Sequence, residues 1–464
     1  MKRHASMNRI YRLVWSQVFN TWVAVAENAK GRGKSISGRR SGFNPTSIFG
    51  HGFVGLKPDL RITILAASLA LIGSSAYAAP TGGQISAGTG SIAQAGANTT
   101  ITQSSQNLAI NWQGFSIAAN EAVRFDQPNA SAIALNRVLG QNPSQILGSL
   151  SANGQVFVLN PNGVLFGASA QVNVGGLVAS TLNLSDTDFI TGNYTFGTTL
   201  QQAGEGQGRG SVVNQGTLTA TQGGYIALLA PEARNEGVIR ATLGTALLAA
   251  GDKVTLNLNN GSLLSYSIDQ GALNALADNK HLIHADGGRV FMSAQAANAL
   301  TTAMVNNTGI IQARTVQNVA GVIKLMGDMQ VGTVNVGGTL DASVLLPSPA
   351  SGGGAGGEGN GGFIETSAAH VKVANDAKVT TAAANGLTGT WLIDPTNFTI
   401  AAGSGALTTS GIGATTLSNN LGSTSVIIAT AATGAEAGDI FINSAVTWAA
   451  NKLTLSAHNN ININ

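Results

Sequence analysis

Residues 156–167 read VFVLNPNGVLFG, two apolar runs that each have the composition of a strand, joined by Asn160-Pro161-Asn162-Gly163. Pro fixes φ at the second position of a tight turn and Asn tolerates the third, so the four residues fit a β-turn. Strand, turn, strand is also what an antiparallel hairpin reads as. The surrounding chain has to decide whether the turn belongs to something larger.

The chain has 464 residues, of which 10% are charged, 5% aromatic and 60 are Gly. A hydrophobic content of 44%, rich in Val, Ile, Leu and Thr, argues against disorder and favours a pleated, all-β protein. The pI of about 9.2 invites a nucleic-acid reading, but the charge is unevenly placed. Residues 1–78 hold eleven Lys and Arg against Glu27 and Asp59, which leaves thirteen basic and nineteen acidic residues beyond them. Without its leader the protein offers no basic surface, and nucleic acid is excluded as a partner.

Loss of the leader is expected from its sequence. Lys57 and Arg61 precede the apolar run ITILAASLALIG (62–73), which is short for a bilayer span and ends in Ala76-Tyr77-Ala78, an A-x-A exit with cleavage expected between Ala78 and Ala79. This is the address for the inner-membrane export machinery. Ahead of it, Met7-Asn8-Arg9-Ile10-Tyr11-Arg12, Trp15, Trp22-Val23-Ala24-Val25 and Gly31-Arg32-Gly33-Lys34 resemble the extended signal peptide region of large exported bacterial surface proteins. Physically, 7–35 is a basic amphipathic stretch with Tyr11, Trp15 and Trp22 as interfacial anchors. The residues before Met7 lie outside that pattern, which makes Met7 an alternative start. The absence of Cys suits a chain that threads a pore unfolded, and equally a repetitive core that needs no cross-links.

Repeats constrain the fold most. NQGTLTA (214–220) returns after 21 residues as NEGVIRA (235–241), then as NTGIIQA (307–313) and, more loosely, VGGTLDA (336–342). A second element, a short β-run opened by glycine, recurs at Gly223, Gly244, Gly287, Gly321 and Gly361. Strand pairs in phase with no helix between them predict a β-solenoid, in which each coil buries its apolar face only against its neighbours. A β-sandwich does not explain near-identical motifs in phase, nor Asn, Thr and Gly at matching points where side-chain ladders form. At about 22 residues per coil, the mature chain predicts about 17 coils and a rod of roughly 80 Å.

The run from Asn142 to Thr181, with Asn160-Pro161-Asn162-Gly163 and the Gly176-Leu177-Val178-Ala179-Ser180-Thr181 segment, closely resembles the two-partner secretion domain of the filamentous haemagglutinin family. The resemblance implies a right-handed parallel β-helix that addresses the chain to a partner transporter in the outer membrane. It spans 79 to about 340. An earlier Asn-Pro-Asn-Leu turn of some relatives has no clean counterpart; Gln127-Pro128-Asn129 and Asn142-Pro143-Ser144 come nearest and receive no role. The Asn160–Gly163 turn therefore has two readings, a corner of one coil or a recognition element for the transporter.

The organisation expected is a leader (1–78, with 57–78 the signal proper), a secretion domain (79–345), a Gly/Pro-rich loop (346–362) and further β-helix repeats (363–464), including GTWLIDPTNFTI (389–400). The last segment is strand-like with no polar cap, which predicts a longer exoprotein. Catalytic patterns are thin. Asp186 and Asp188 share a face at strand spacing, in the manner of the paired carboxylates of a β-helix polysaccharide lyase or hydrolase, but a surface loop explains them more simply. His281 and His284 lack a third metal ligand, GEGQGRG (204–210) precedes a β-run and not a helix, and 352–362 lacks the spaced Asp of calcium repeats. No enzyme activity, metal or cofactor is assigned. The expectation is a secreted or cell-surface adhesin binding a host cell surface or glycan; a β-helix enzyme or an autotransporter passenger is the alternative, and 389–464 shows no membrane-barrel pattern.

Overall fold

The computed structural model describes residues 11–16, 21–26, 79–197, 210–345, 359–404, 409–432 and 436–464. Ala76 and Ala78 of the expected cleavage site, and the apolar run before them, lie outside these. In the leader, Tyr11–Ser16 and Thr21–Ala26 pair antiparallel, Trp15 opposite Trp22.

Beyond the leader the chain is a parallel β-helix with three faces. Residues Val156 to Phe166 show how the coil is made. Gln155–Leu159 pairs in parallel with Ile133–Val138 on one side and with the second half of Gln171–Ser180 on the other. Val164–Phe166, beyond the turn, belongs to a different sheet and pairs with Ser144–Ile146 and Val212–Asn214. The two apolar runs are thus neighbours around a coil, not partners in a hairpin. With Ser149–Ala152 before them they give one strand to each of three faces, called A (149–152), B (155–159) and C (164–166). Each glycine-opened run found in the sequence joins face B, where Tyr225, Thr245, Arg289, Val322 and Phe363 stand in one register.

Among the described residues, twelve strands stack on face B between Asn107 and Ser456. Fewer coils form than the expected 17, and at about 4.8 Å per step they stack over roughly 50 Å. The cause is coil length: residues are spent on excursions that join no face. The apolar side chains that point inward along face B, from Val156 through Leu177, Ile226, Ala246, Val290, Ile323, Ile364 and Trp391 to Val426, are fully buried and form one continuous core.

At the junction of faces C and A the Asn of the repeats becomes a ladder. Asn214 Nδ2 donates to Asn235 Oδ1 (2.8 Å), Asn235 Nδ2 to Asn279 Oδ1 (2.8 Å), and Asn279 Nδ2 to Asn307 Oδ1 (2.7 Å). All four are inaccessible to solvent, and Asn307 ends the row on the Gly337 carbonyl. Asn279 opens NKHLIHA (279–285), a further copy of the repeat with His281 where the others carry Gly.

Two departures from a plain solenoid alter the outside of face B and the edge of face A. Helix α1 (Asp186–Thr191), strand Tyr194–Gly197 and the hairpin Lys253–Asn259/Ser262–Gln270 lie outside face B, the strands forming a three-stranded antiparallel sheet. Phe189, Phe196, Val254, Leu256 and Leu263 from these pieces bury Leu135, Phe157, Val178, Ala227 and Leu247, the outward-facing residues of face B, in a second apolar layer. Helix α2 (Ala414–Leu421) takes the place of a strand on face A: Asn420 Oδ1 accepts from Val379 N (2.7 Å) and its Nδ2 donates to Ala377 O (3.1 Å), closing the edge of strand Lys378–Thr380.

Candidate functional site

The Asn160–Gly163 corner connects face B to face C. Its closing hydrogen bond runs from Gly163 N to Asn160 O (3.0 Å), and Asn162 N donates to the Asn160 side-chain Oδ1 (3.0 Å), so an Asx turn lies inside the β-turn. Gly163 has φ +120°, a value that a Cβ would strain, and its carbonyl accepts from Ser144 N (3.0 Å).

Neighbouring coils clamp the corner from both sides. Asn160 is inaccessible to solvent. Its Nδ2 donates to Asn142 O and Ser144 Oγ (both 3.0 Å) in the preceding coil, and its backbone N–H donates to Ser180 O (2.9 Å) in the next. From the following coil, Gly210 N donates to Pro161 O (3.3 Å) and Val164 N reaches Ser211 O (3.0 Å). Any side chain at 210 would run into the turn, since a Cβ there falls 2.4 Å from Gly163 N. Asn162 Nδ2 also ties to Gly140 O (2.9 Å). Of the four residues, only Pro161 and Asn162 reach the surface, half-buried and exposed respectively.

The sequence identified the turn but not what stacks on it. Asn142-Pro143-Ser144, set aside as an imperfect match, forms the shelf under Asn160. The one available signal was its interval of 18 residues from the corner, close to one coil. Gln127, the other near match, is buried: its Nε2 bonds Gln103 Oε1 (3.0 Å) and the carbonyls of Ala132 and Gln155 (both 3.1 Å). At the expected cleavage site only Ala79 is described; Thr81, two residues on, bridges to Gly114.

The other residues singled out in the sequence do not gather. Asp186 and Asp188 occupy the first turn of α1, not a strand, because Ser185 caps the helix by accepting from Asp188 N (3.0 Å). Asp186 pairs with Arg137 (2.7 Å) while Asp188 is held by Ser185 and Asn193, which keep its carboxyl below the usual range. His281 Nδ1 lies 3.2 Å from Gly237 O; His284 Nε2 lies 2.8 Å from Asp286, which also takes two bonds from the Arg314 guanidinium.

Residues 76–342 match the model of the TPS secretion domain, and residues 7–53 match that of the extended signal peptide of the type V secretion system. The chain belongs to the two-partner secretion exoproteins. Among curated proteins it is 32% identical over 257 residues to a heme/hemopexin-binding protein of Haemophilus influenzae, covering 55% of this chain and 28% of that one. A second heme/hemopexin-binding protein of Haemophilus influenzae is 45% identical over 97 residues, 21% of this chain and 10% of its own. The chain thus spans about a quarter or less of the curated relatives it matches. The HMW1 secretion domain of Haemophilus influenzae, in its crystal structure, shares the fold at 22% identity with TM-score 0.54, over 83% of this chain and all of that one. The extended signal peptide and secretion domain mark a two-partner exoprotein for export across the outer membrane, to the cell surface or beyond, through a partner transporter.

Proposed function

We propose that residues 79–345 are the transporter address of a secreted adhesin, and that the partner transporter reads Pro161 and Asn162. One observation carries the second half of this. Asn160 and Gly163 are consumed by hydrogen bonds to the coils on either side, whereas Pro161 and Asn162 project from the corner and support nothing beyond it but the Gly210 and Gly140 contacts. These two side chains are open to a partner in a way that the buried Asn160 is not. The repeats of 363–464 then begin a rod whose outer faces meet a host cell surface or glycan, with signal cleavage between Ala78 and Ala79.

A second reading, capture of haem or hemopexin, is favoured by the names of the curated relatives, of which the chain covers the smaller part. Release of the Pro161→Ala/Asn162→Ala double variant from cells that carry the transporter tests the address. Loss of release far beyond the small loss of stability seen in urea unfolding of the purified chain is the expected result; full release overturns it. Adherence of cells displaying the exoprotein, against haem uptake by the same cells, separates adhesin from haem capture.

A further inference from the structure

The outer sheet stops part-way along face B, and a groove of ≈ 800 Å³ opens where it stops. One wall is the edge strand Ser262–Gln270, which pairs on one side only. The floor is the next part of face B, where Phe291 and Met326 face outward, and the far wall is made by the turns after strands Arg289–Ala294 and Val322–Met326. The volume lies in the range of small-ligand sites.

What lines the groove points to one class of ligand. Gln295, Asn298 and Gln330 bring three side-chain amides, and the Gln295 and Gln330 side chains make no hydrogen bond to the described residues. Asn298 uses only its Oδ1, for Leu300 N (2.9 Å), leaving its Nδ2 unpaired among the described residues. Asp328 spends Oδ1 on Gln330 N (2.7 Å) and Val331 N (3.1 Å). Unpaired amides and a carboxylate oxygen around apolar ground formed by Ile268, Phe291 and Met326 are complementary to a ring with hydroxyls on its rim and C–H groups on its faces. Among the described residues the one cation in the groove, Lys324, is already paired with Glu365 (2.8 Å), which leaves it no free charge for an acidic group.

We propose that this groove binds a neutral oligosaccharide of two to four sugars. The proposal rests on the adhesin reading of the exported chain and adds the place and the ligand class. An extended peptide adding to the free edge is the competing occupant. Arg289 caps the start of that strand, its guanidinium donating to the carbonyls of Leu263 (2.6 Å) and Leu264 (3.0 Å), and the test below decides against a peptide at the open stretch 266–268.

The test is calorimetry on the purified chain with maltotriose, cellotriose and lacto-N-tetraose as neutral probes, 3′-sialyllactose as the acidic one, and a ten-residue Thr/Val peptide. The comparison is the Gln295→Ala/Asn298→Ala/Gln330→Ala variant, whose exposed substitutions leave the β-rich circular dichroism unchanged. Saturable binding of a neutral probe, at least tenfold weaker in the variant, is the expected result. No neutral probe bound, equal binding by the variant, or preference for sialyllactose or the peptide overturns the proposal. Adherence of cells displaying the variant is read separately: full adherence removes the groove from the adhesin reading without touching that reading itself.

Discussion

Face B is one continuous ladder of strands, yet its two halves are built differently. From Gln155 to Ala250 its runs QVFVL, GGLVAS, YIALLA and TALLAA are buried at nearly every position. From Val322 onward the runs VIKLM, FIETS and TWLID alternate between buried and half-buried. The inward row does not change across the break; the outward row does, passing from Phe157, Val178, Ala227 and Leu247 to Phe291, Lys324, Glu365, Leu392 and Ile427. A solenoid coil needs only one apolar side. An outward row that is apolar and fully buried is therefore a record of its cover, here α1 and the three-stranded sheet, and the groove marks where the cover ends.

The inward row should be indispensable in both halves. Val156→Asp places an unpaired carboxylate in the core, where Val156 is fully buried, and should cost more than about 4 kcal/mol, preventing folding of the coils around it and release from the cell. Circular dichroism and immunoblotting of the medium check this. A released, folded Val156→Asp chain would contradict the assignment of that row to the core.

The outward row is where the halves should diverge. Phe157 packs edge-on against Phe189 (6.3 Å) and Tyr194 (5.8 Å) and lies 5.9 Å from Phe196, so Phe157→Ala should cost about 3–5 kcal/mol. Phe363, half-buried on the uncovered half under the Lys324 ammonium at 5.6 Å, should lose only about 1 kcal/mol in the same exchange. Urea unfolding of both variants decides. Equal losses would mean that the outer layer is not part of the core.

These differences were only partly visible in the sequence. The coil was legible because Asn-x-Gly-x-(Ile/Leu)-x-Ala recurs in phase, at points where stacked coils form side-chain ladders. One copy escaped because His281 replaces the Gly, and the 44 residues from Asn235 to Asn279 hide a hairpin whose Val254, Leu256, Leu263, Tyr266 and Ile268 are too sparse to signal a sheet. Helix α2 escaped for a different reason: ATTLSNNL is rich in Thr, Ser and Asn, poor helix formers, and only its position over Lys378–Thr380 makes it helical. At the candidate site the turn was legible from Pro161 and Gly163, whereas the shelf at Asn142–Ser144 and the lid at Gly210 are long-range contacts with no local signal.

The Asn ladder spans the coils from Asn214 to Asn307, and Val336 and Val373 take the next places in its row on the uncovered half. Asn235→Ala leaves Asn279 Oδ1 buried without a partner and Asn214 Nδ2 with only its long contact to Val238 O (3.4 Å), an expected loss of about 2 kcal/mol. At the other end of strand Leu282–His284 from the ladder, Asp286 supplies a pH dependence. Burial opposes its ionisation, but hydrogen bonds from His284 and Arg314 outweigh it and hold the carboxyl well below the usual range. A depressed folded-state value means that the stabilisation is complete above the ordinary carboxylate pKa of about 4 and is lost as pH falls below it. Unfolding free energies from urea titrations at pH 6 and pH 3 should therefore differ by on the order of 1 kcal/mol more in the native chain than in Asp286→Asn.

The smallest effect on stability is expected at Asn162, on the exposed side of the corner, and it is the one that bears on export. Asn160→Ala removes the bonds to Asn142 O and Ser144 Oγ from a buried position and should cost about 2–3 kcal/mol. Asn162→Ala removes an exposed bond to Gly140 O and a longer one to Asn160 Oδ1 (3.3 Å) and leaves Pro161 and Gly163 to set the turn, so its cost should stay below about 1 kcal/mol. If release followed stability, Asn160→Ala would be the more poorly secreted of the two. A transporter that reads the surface of the corner reverses the order, with Asn162→Ala the less released variant despite the smaller shift in its urea midpoint. Both measurements must be made on the same pair of variants, because exported chains fold after they emerge and a folding defect alone can lower release. Release ranked as stability is ranked would reduce Asn160–Gly163 to a corner of the β-helix.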